Sequence, residues 1–458
     1  MDFNNIYRRL PDWCQDIAIT IKNVGVYYKK YNAIPIIRPI GSVQRKLIND
    51  TEYYSNASES DEKDKLKGLI KYAINNVEYY KERKALYKTP SDLEDIDNYP
   101  LLEKLDLRSN LDKVVSKEAN SRNSVSFKTS GTTGTPLCGR IKISDLQLRF
   151  IVVLKSMNDF GLDLSKPYGR FPGAHISDGK RVYRRDMINN HIIFSMYHLS
   201  AAYADHYIKA INKYQLETLE GYPSVLYALA LLIETAGGRT DCVKYVCTTA
   251  EKLHGYQKAK IEDVLGCKVF DYYGSSDQSS YIYMCPLQKY HNSNVISHLE
   301  VLDSEGNRTK PGHQGNMVVT SYTSTFTPLI RYKIGDSVLL SANQVCECGI
   351  GGLVIDEIIG RDEDAFLTLD GRSVSRFSLV LKYLPSNVFR AQLVLYNMQS
   401  NIELRYETLD KVAINNSEFD DFYKKLMLMI GNGYTITYTH KEDIPFGKNG
   451  KFKAVIIH

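Results

Sequence analysis

Lys128-Thr-Ser-Gly-Thr-Thr-Gly-Thr-Pro136 is the stretch on which the reading of the fold turns. Its centre, SGTTG, arises by chance roughly once in a million positions at average residue usage, so chance does not account for it in a chain of 458 residues. Gly131 and Gly134 carry no Cβ, which lets backbone N–H groups turn toward one point, and Thr129, Ser130, Thr132 and Thr133 add hydroxyl donors. Such a run cradles a phosphate. A flexible surface turn is the alternative reading. The phosphate loop of ordinary NTPases needs Lys directly after its last glycine, where this chain has Thr135, so phosphoryl transfer of that kind is disfavoured.

Outward from this loop, short β-rich runs alternate with helical ones. VSF ends just before Lys128, GRIKI spans 139–143, a helix is predicted near 145–160, and VKYVCTTA (243–250) and KVFDYYG (268–274) read as strands. Strands separated by helices predict a largely parallel α/β sheet. After residue 295, SHLEVLD, NMVVTSYT and DSVLL are closely spaced, which predicts an antiparallel or barrel-like subregion. Upstream, Leu66, Leu69, Ile70, Ala73, Ile74, Val77 and Tyr80 recur at steps of three and four, the stripe of an amphipathic helix within a helical lead-in over 1–110. Downstream, Asp370-Gly371 reads as a tight two-residue hairpin turn. RAQLVLYN, NIELRYE, a helix at 418–430 and YTITYT then compose a compact α+β tail.

The composition excludes several classes. Hydrophobic content of 43% and charged content of 24% are those of a globular chain, not of a disordered or collagen-like one. The net charge of +5 is small for this length and predicts no nucleic-acid partner. The 34 Tyr beside a single Trp, Trp13, read as compositional drift. No uncharged apolar run approaches a membrane span, and YALALLIETAGG (227–238), broken by Glu234, reads as a buried helix. The first thirty residues lack the apolar core of a signal peptide, so a soluble, cytoplasmic protein is expected. Eight Cys are too sparse for a disulfide scaffold, and metal ligation is the exception to look for.

Three further segments come after the phosphate loop in order. Tyr272-Tyr-Gly-Ser-Ser-Asp277 puts a glycine turn, hydroxyls and a carboxylate at the end of an apolar strand, where ligands bind in open α/β sheets. Arg331-Tyr-Lys-Ile-Gly-Asp336 ends in a carboxylate suited to ribose hydroxyls, and Gly360-Arg-Asp-Glu-Asp364 marks a composition break. Taken together these resemble the adenylate-forming superfamily, in its branch of phenylacetate-coenzyme A ligases and CapK-like proteins of capsular-polysaccharide clusters. The resemblance covers about 120 to 458. It implies an α/β fold with a large N-terminal domain (1–361), of mixed sheets, helices and a β-rich subregion, and a small mobile α+β domain (362–458).

The roles the resemblance implies fall on particular residues. Ser130, Gly131, Thr132, Thr133 and Gly134 hold the ATP phosphates beside Thr129, and Ala250-Glu251 lies by the adenine. Tyr273 stacks on that base within Tyr272, Tyr273, Gly274, Ser275 and Ser276, and Asp277, where the family has Glu, serves magnesium. Asp336 binds the ribose, which Arg361 also approaches, and Asp362 is the hinge. The catalytic lysine is Lys451, with Lys448 as its rival. The acid pocket falls around Phe171, His175, Tyr222 and Pro223, with no charged selector. Cys346-Glu-Cys348 and Cys285-x5-His291 can complete a tetrahedral Cys3His site, as in members of the branch. His298 rivals His291 there, and free thiols are the alternative.

The expected chemistry is ATP- and Mg2+-dependent activation of a small carboxylic acid as an acyl-adenylate, followed by acyl transfer to coenzyme A, with structural zinc as a further cofactor. Transfer to an amine or hydroxyl in surface-polysaccharide or natural-product biosynthesis is a second reading. A catalytically degenerate nucleotide-binding protein is a third. The sequence predicts no membrane partner and leaves a homodimer open.

Overall fold

The computed structural model describes residues 11, 13–21, 59–128, 138–163, 165–172, 181–187, 190–196, 198–275, 277–361, 366–374, 377, 380–385, 387–408, 410–445 and 452–458. The chain divides into two compact units, one built from residues 1–22, 166–269 and 361–458, the other from 23–165 and 270–360.

In the second unit, the stripe predicted over 60–85 forms helix α1 (Glu59–Asn76) and a shorter α2 (Glu78–Glu82). They break at Val77, whose φ of −122° and ψ of 119° are extended, the conformation a β-branched residue favours. Leu66, Ile70, Ala73, Val77 and Tyr80 are fully buried, and the Tyr80 hydroxyl donates to Pro328 O at 2.7 Å. Strands β1 (Ser124–Lys128) and β2 (Cys138–Lys142) then pair antiparallel, with Lys128 opposite Cys138. These two runs therefore form a hairpin of their own instead of joining a parallel sheet. The SGTTG run joins its two strands, where an NTPase phosphate loop would join strand to helix. Helix α3 (Ile143–Phe160) comes next.

The parallel sheet lies in the other unit: β3 (Tyr168–Phe171), β4 (Tyr183–Asp186), β5 (His191–Phe194), β6 (Thr218–Gly221) and β7 (Tyr245–Thr249). The order is β4-β5-β3-β6-β7, parallel except at the β4–β5 edge. Helix α4 (Ala204–Lys213) connects β5 to β6, α5 (Pro223–Thr235) connects β6 to β7, and α6 (Gly255–Leu265) lies beyond β7. As the apolar run at 227–238 predicts, α5 is buried almost all round. Pro223 occupies its first turn, where no backbone donor is needed.

The β-rich subregion comprises β8 (Lys268–Gly274), β9 (Tyr281–Met284), β10 (Tyr290–Asn292), β11 (Ser297–Leu302), β12 (Gln314–Ser321), β13 (Tyr332–Leu340) and β14 (Val354–Arg361). Their order is β11-β12-β13-β14-β10-β9-β8, and the β8–β9, β9–β10, β10–β14, β11–β12 and β12–β13 pairs are antiparallel, as expected.

The tail has its own core around Phe366, Leu393, Leu404, Phe419, Phe422 and Leu426. It opens with a small hairpin, β15 (Phe366–Leu367) and β16 (Ser373–Val374). The turn between them is one residue longer than predicted: Thr368 N donates to Arg372 O and Gly371 N to Thr368 O, both at 2.9 Å, so Leu369, Asp370 and Gly371 form a three-residue loop. Only its last residue needs the left-handed region, and Gly371 supplies it with φ of +79°. The tail continues with β17 (Val388–Leu395), β18 (Asn401–Thr408), α7 (Asp420–Ile430), β19 (Thr435–His440) and β20 (Val455–Ile457). The strands order β19-β18-β17-β20. Among the described residues, no helix is long and apolar enough to cross a membrane.

The β1–β2 stem has no slack beside the loop it carries. A Cβ built at Gly139 would stand 2.4 Å from Phe127 Cε1 and 3.0 Å from Thr327 Oγ1, and Thr327 Oγ1 already accepts the Arg140 N–H at 3.0 Å. Gly139→Ala is expected to lower stability by about 1–3 kcal/mol through this overpacking. A shift of the urea midpoint at unchanged slope checks it, and an unaltered midpoint would contradict it.

Candidate functional site

Thr129, Ser130, Gly131, Thr132, Thr133, Gly134, His175, Ser276, Asp362, Lys448 and Lys451 lie outside the described residues, and Arg361 is described only as the last backbone position of β14. The others can be placed. Tyr273, near the end of β8, donates its hydroxyl to Asp336 Oδ2 on β13 at 2.6 Å. Two residues 63 positions apart, picked from separate motifs, therefore meet. Gly335 before Asp336 has φ of +86°, a turn of the strand that a side chain would resist.

Beyond Gly274 the chain closes a hydroxyl-rich turn. Ser275 Oγ accepts from Ser279 N at 3.0 Å and Ser280 N at 3.2 Å. Asp277 Oδ1 accepts from Ser279 N at 3.1 Å and Ser279 Oγ at 2.6 Å. Asp277 is buried, and the cation beside it is Arg149 of α3, a residue absent from every motif read in the sequence. Arg149 Nε donates to Gln278 Oε1 at 3.1 Å, Nη1 to Thr323 Oγ1 at 3.0 Å and Nη2 to Ser280 O at 3.2 Å. Burial pulls its pKa down to about 10, against the opposing pull of the Asp277 charge. The signal for it was register: Arg149 falls on the face of α3 that Val152, Ser156 and Phe160 bury, so an arginine sits in the apolar stripe.

In the other unit, Ala250 takes a left-handed φ of +69° at the end of β7. Glu251 Oε2 accepts from Ser224 N at 3.3 Å and Oε1 from Phe452 N at 2.8 Å. Tyr222 precedes α5 and Pro223 begins it. Phe171 is a core ring, stacked on Phe194 at 4.9 Å between centroids. Tyr272 packs on Tyr281 at 5.6 Å in the unit that holds β8 to β14.

The predicted cysteines and histidine converge. Cys285 leaves β9, His291 lies in β10, and Cys346 and Cys348 lie between β13 and β14. Their ligand atoms all fall within 4.8 Å of one another, with Cys285 Sγ 4.0 Å from Cys346 Sγ and Cys348 Sγ 3.3 Å from His291 Nε2. Burial lowers the His291 pKa, which keeps the imidazole neutral, and pushes the Cys348 thiol up to about 12. The Ile350 N–H points at Cys348 Sγ from 3.4 Å. Three sulfurs and an imidazole at these separations fit one tetrahedral metal ion. His298 lies elsewhere, 3.6 Å from Glu62 Oε1, so His291 is the histidine of the cluster.

The fold is shared with solved acyl-coenzyme A ligases. The structure of 2-hydroxyisobutyryl-CoA ligase in the postadenylation state with 2-HIB-AMP matches with a TM-score of 0.68 at 18% identity, covering 87% of this chain and 89% of that one. The anthranilate CoA ligase AuaEII in complex with anthranoyl-AMP matches with a TM-score of 0.53 at 16% identity, covering 73% and 66%. In sequence, the chain is related to Protein CapK of Staphylococcus aureus, 24% identical over 99% of both chains. It is also related to the phenylacetate-coenzyme A ligase of Thermus thermophilus, 24% identical over 80% of this chain and 82% of that one. No protein-family model matches the chain.

The cluster generates a direct expectation. Native protein should carry about one tightly held metal ion per chain, and Cys348→Ser should lose it along with several degrees of thermal stability, because binding energy at a closed site is folding energy. Metal analysis with a melting curve checks both; four native thiol and imidazole groups free to react in metal-free protein would remove the site.

Proposed function

We propose that this protein activates a small carboxylic acid with ATP and transfers the acyl group to coenzyme A. The carboxylate oxygen attacks the α-phosphorus, the bond to pyrophosphate breaks, and the acceptor sulfur then attacks the acyl carbon and displaces AMP. The observation that carries this reading is the 2.6 Å Tyr273–Asp336 hydrogen bond, which sets the ring proposed for adenine beside the carboxylate proposed for the ribose. The phenylacetate-coenzyme A ligases among its relatives support it. Residues 129–134 would cradle the phosphates from the β1–β2 stem. Asp277, its Oδ1 oriented by Ser279, would hold magnesium, which offsets phosphate charge. Zinc suits the Cys3His cluster as a structural ion. Phe171, His175, Tyr222 and Pro223 would bound the acid pocket, and the reaction would run in the cytoplasm.

Transfer to an amine or hydroxyl of a surface polysaccharide is the second reading, favoured by a match to CapK that spans 99% of the chain against 80% for the Thermus ligase. Product masses with and without coenzyme A separate the two. Pyrophosphate exchange over a panel of phenylacetate, anthranilate, 2-hydroxyisobutyrate and the amino acids tests adenylation itself, and no exchange with any acid would sink it.

Lys451 would supply the cation that offsets charge on the pentavalent phosphorus. Lys451→Ala should cut pyrophosphate exchange by about a thousandfold with ATP binding nearly intact; the same loss in Lys448→Ala instead would move the role to Lys448.

Residues 362–458 would turn about Asp362 between half-reactions, with Arg361 by the ribose. Asp362→Pro fixes φ near −65°, so one orientation should survive: exchange persists while acyl transfer falls by about a hundredfold, near 2.7 kcal/mol. Equal effects on both half-reactions in folded protein would argue against the rotation.

A further inference from the structure

Glu251 spends both carboxylate oxygens on backbone N–H groups of distant segments. Ser224, which donates to Oε2, lies in the first turn of α5, where N–H groups have no partner within the helix and the dipole favours an anion. Phe452, which donates to Oε1, directly follows Lys451 in sequence. Phe452 is 9% exposed, and the Arg390 guanidinium lies 5.7 Å from its ring centroid, paired in turn with Glu407 at 3.2 Å and Asp443 at 3.3 Å.

The neighbouring hydrogen bonds have a different reach. Lys453 O accepts from Gln392 Nε2 and Ala454 O from Leu393 N, both at 2.9 Å, and β20 pairs with β17. All of these stay inside residues 361–458 and would travel with that segment. The Phe452 bond alone of this series crosses to residues 166–269, 201 positions away.

We infer that Glu251 is a positioning residue: it clamps the segment carrying Lys451 against the end of β7, and so holds the lysine for adenylation. The role assigned to Lys451 rests on the adenylation reading, whereas the clamp does not. A carboxylate oxygen 2.8 Å from an amide fixes where the chain leaves Lys451, and misplacing a reacting cation by about 1 Å costs on the order of a hundredfold. If residues 361–458 rotate for acyl transfer, this bond must break, so its loss should fall on one half-reaction only.

Hydrogen exchange at the Phe452 amide reads the clamp in the full-length protein without substrate. Glu251→Ala should speed it by at least about tenfold, and Glu251→Gln, which keeps an accepting oxygen, should hold it within about threefold. With the panel acid giving the fastest wild-type pyrophosphate exchange, Glu251→Ala should lower kcat by about a hundredfold with the KM for ATP within about threefold, and transfer from that acid's preformed adenylate should be kept. Glu251→Gln should recover most of the exchange. Unchanged Phe452 exchange in the Ala variant overturns the clamp. Equal loss of both half-reactions, or a raised KM for ATP at constant kcat, overturns the positioning role in favour of a scaffold or nucleotide contact. Wild-type protein without any pyrophosphate exchange would remove the lysine's role, and the amide measurement would still decide the clamp.

Discussion

A guanidinium withdrawn from water must find its hydrogen bonds inside the protein, and Arg149 does so by drawing two distant stretches of chain, 278–280 and Thr323, to α3. Gln278, Ser280 and Thr323 each give it an acceptor, and Asp277 gives it a counter-charge. Leaving a buried charge unpaired costs roughly 3–5 kcal/mol, more than the roughly 1 kcal/mol of a neutral hydrogen bond. The need of the buried guanidinium for its acceptors, more than the serine contacts, therefore dictates the shape of the turn after β8. That turn includes Gln278 at φ of +61°, a conformation a non-glycine residue holds only when its surroundings insist. The positions of Ser275 and Asp277 are set by it.

The same unit solves a different problem at the opposite end of its hairpins. The connection from β13 to β14 is rich in glycine and polar residues and offers little apolar surface to anchor it. Gly352 there has φ of +89°, and a Cβ at that position would stand 2.5 Å from Asn292 O, so the backbone passes directly against β10. Four soft or borderline ligands within 4.8 Å can hold such a loop where hydrophobic burial cannot. Arg149 and the Cys/His cluster are thus two ways of fixing polar chain: one through charge and directed donors, the other through a ligand set.

The legible part of the sequence was local. The helix stripe from Leu66 to Tyr80, the buried α5, the strands flanking SGTTG and the four metal-type ligands each announce themselves within a few residues, by period or by ligand chemistry. Arg149 shows in the sequence only through its register in the apolar stripe of α3, and its role is not legible until its partners 129 to 174 positions away are known. The antiparallel pairing of β1 with β2 is not legible, because alternation of strands and helices reports a sheet but not its partners. The turn at Leu369-Asp370-Gly371 differs by one residue from the two-residue expectation because Asp-Gly suits two loop lengths, and only the Thr368–Arg372 pairing chooses. The partners of Glu251 could not be seen at all: a carboxylate's acceptor capacity carries no sign of which N–H will fill it.

Ala250 shows how backbone geometry creates that capacity. A left-handed alanine costs roughly 1–2 kcal/mol, more than the roughly 0.4–1 kcal/mol of unfolded-chain entropy that glycine would add, so Ala250 holds this conformation at a net local cost that its surroundings offset. The reversal at Ala250 ends β7, and the parallel neighbour β6 ends at Gly221 just before α5. Carboxyl ends of neighbouring parallel strands are where α/β sheets gather ligands, and here a helix N-terminus and a carboxylate face one another across them. Each satisfies half of the other: α5 gives Glu251 a donor and a positive dipole end, and Glu251 leaves its second oxygen for a segment that arrives from the far end of the chain. The strained turn is thus the point at which a rigid sheet acquires a connection to the tail.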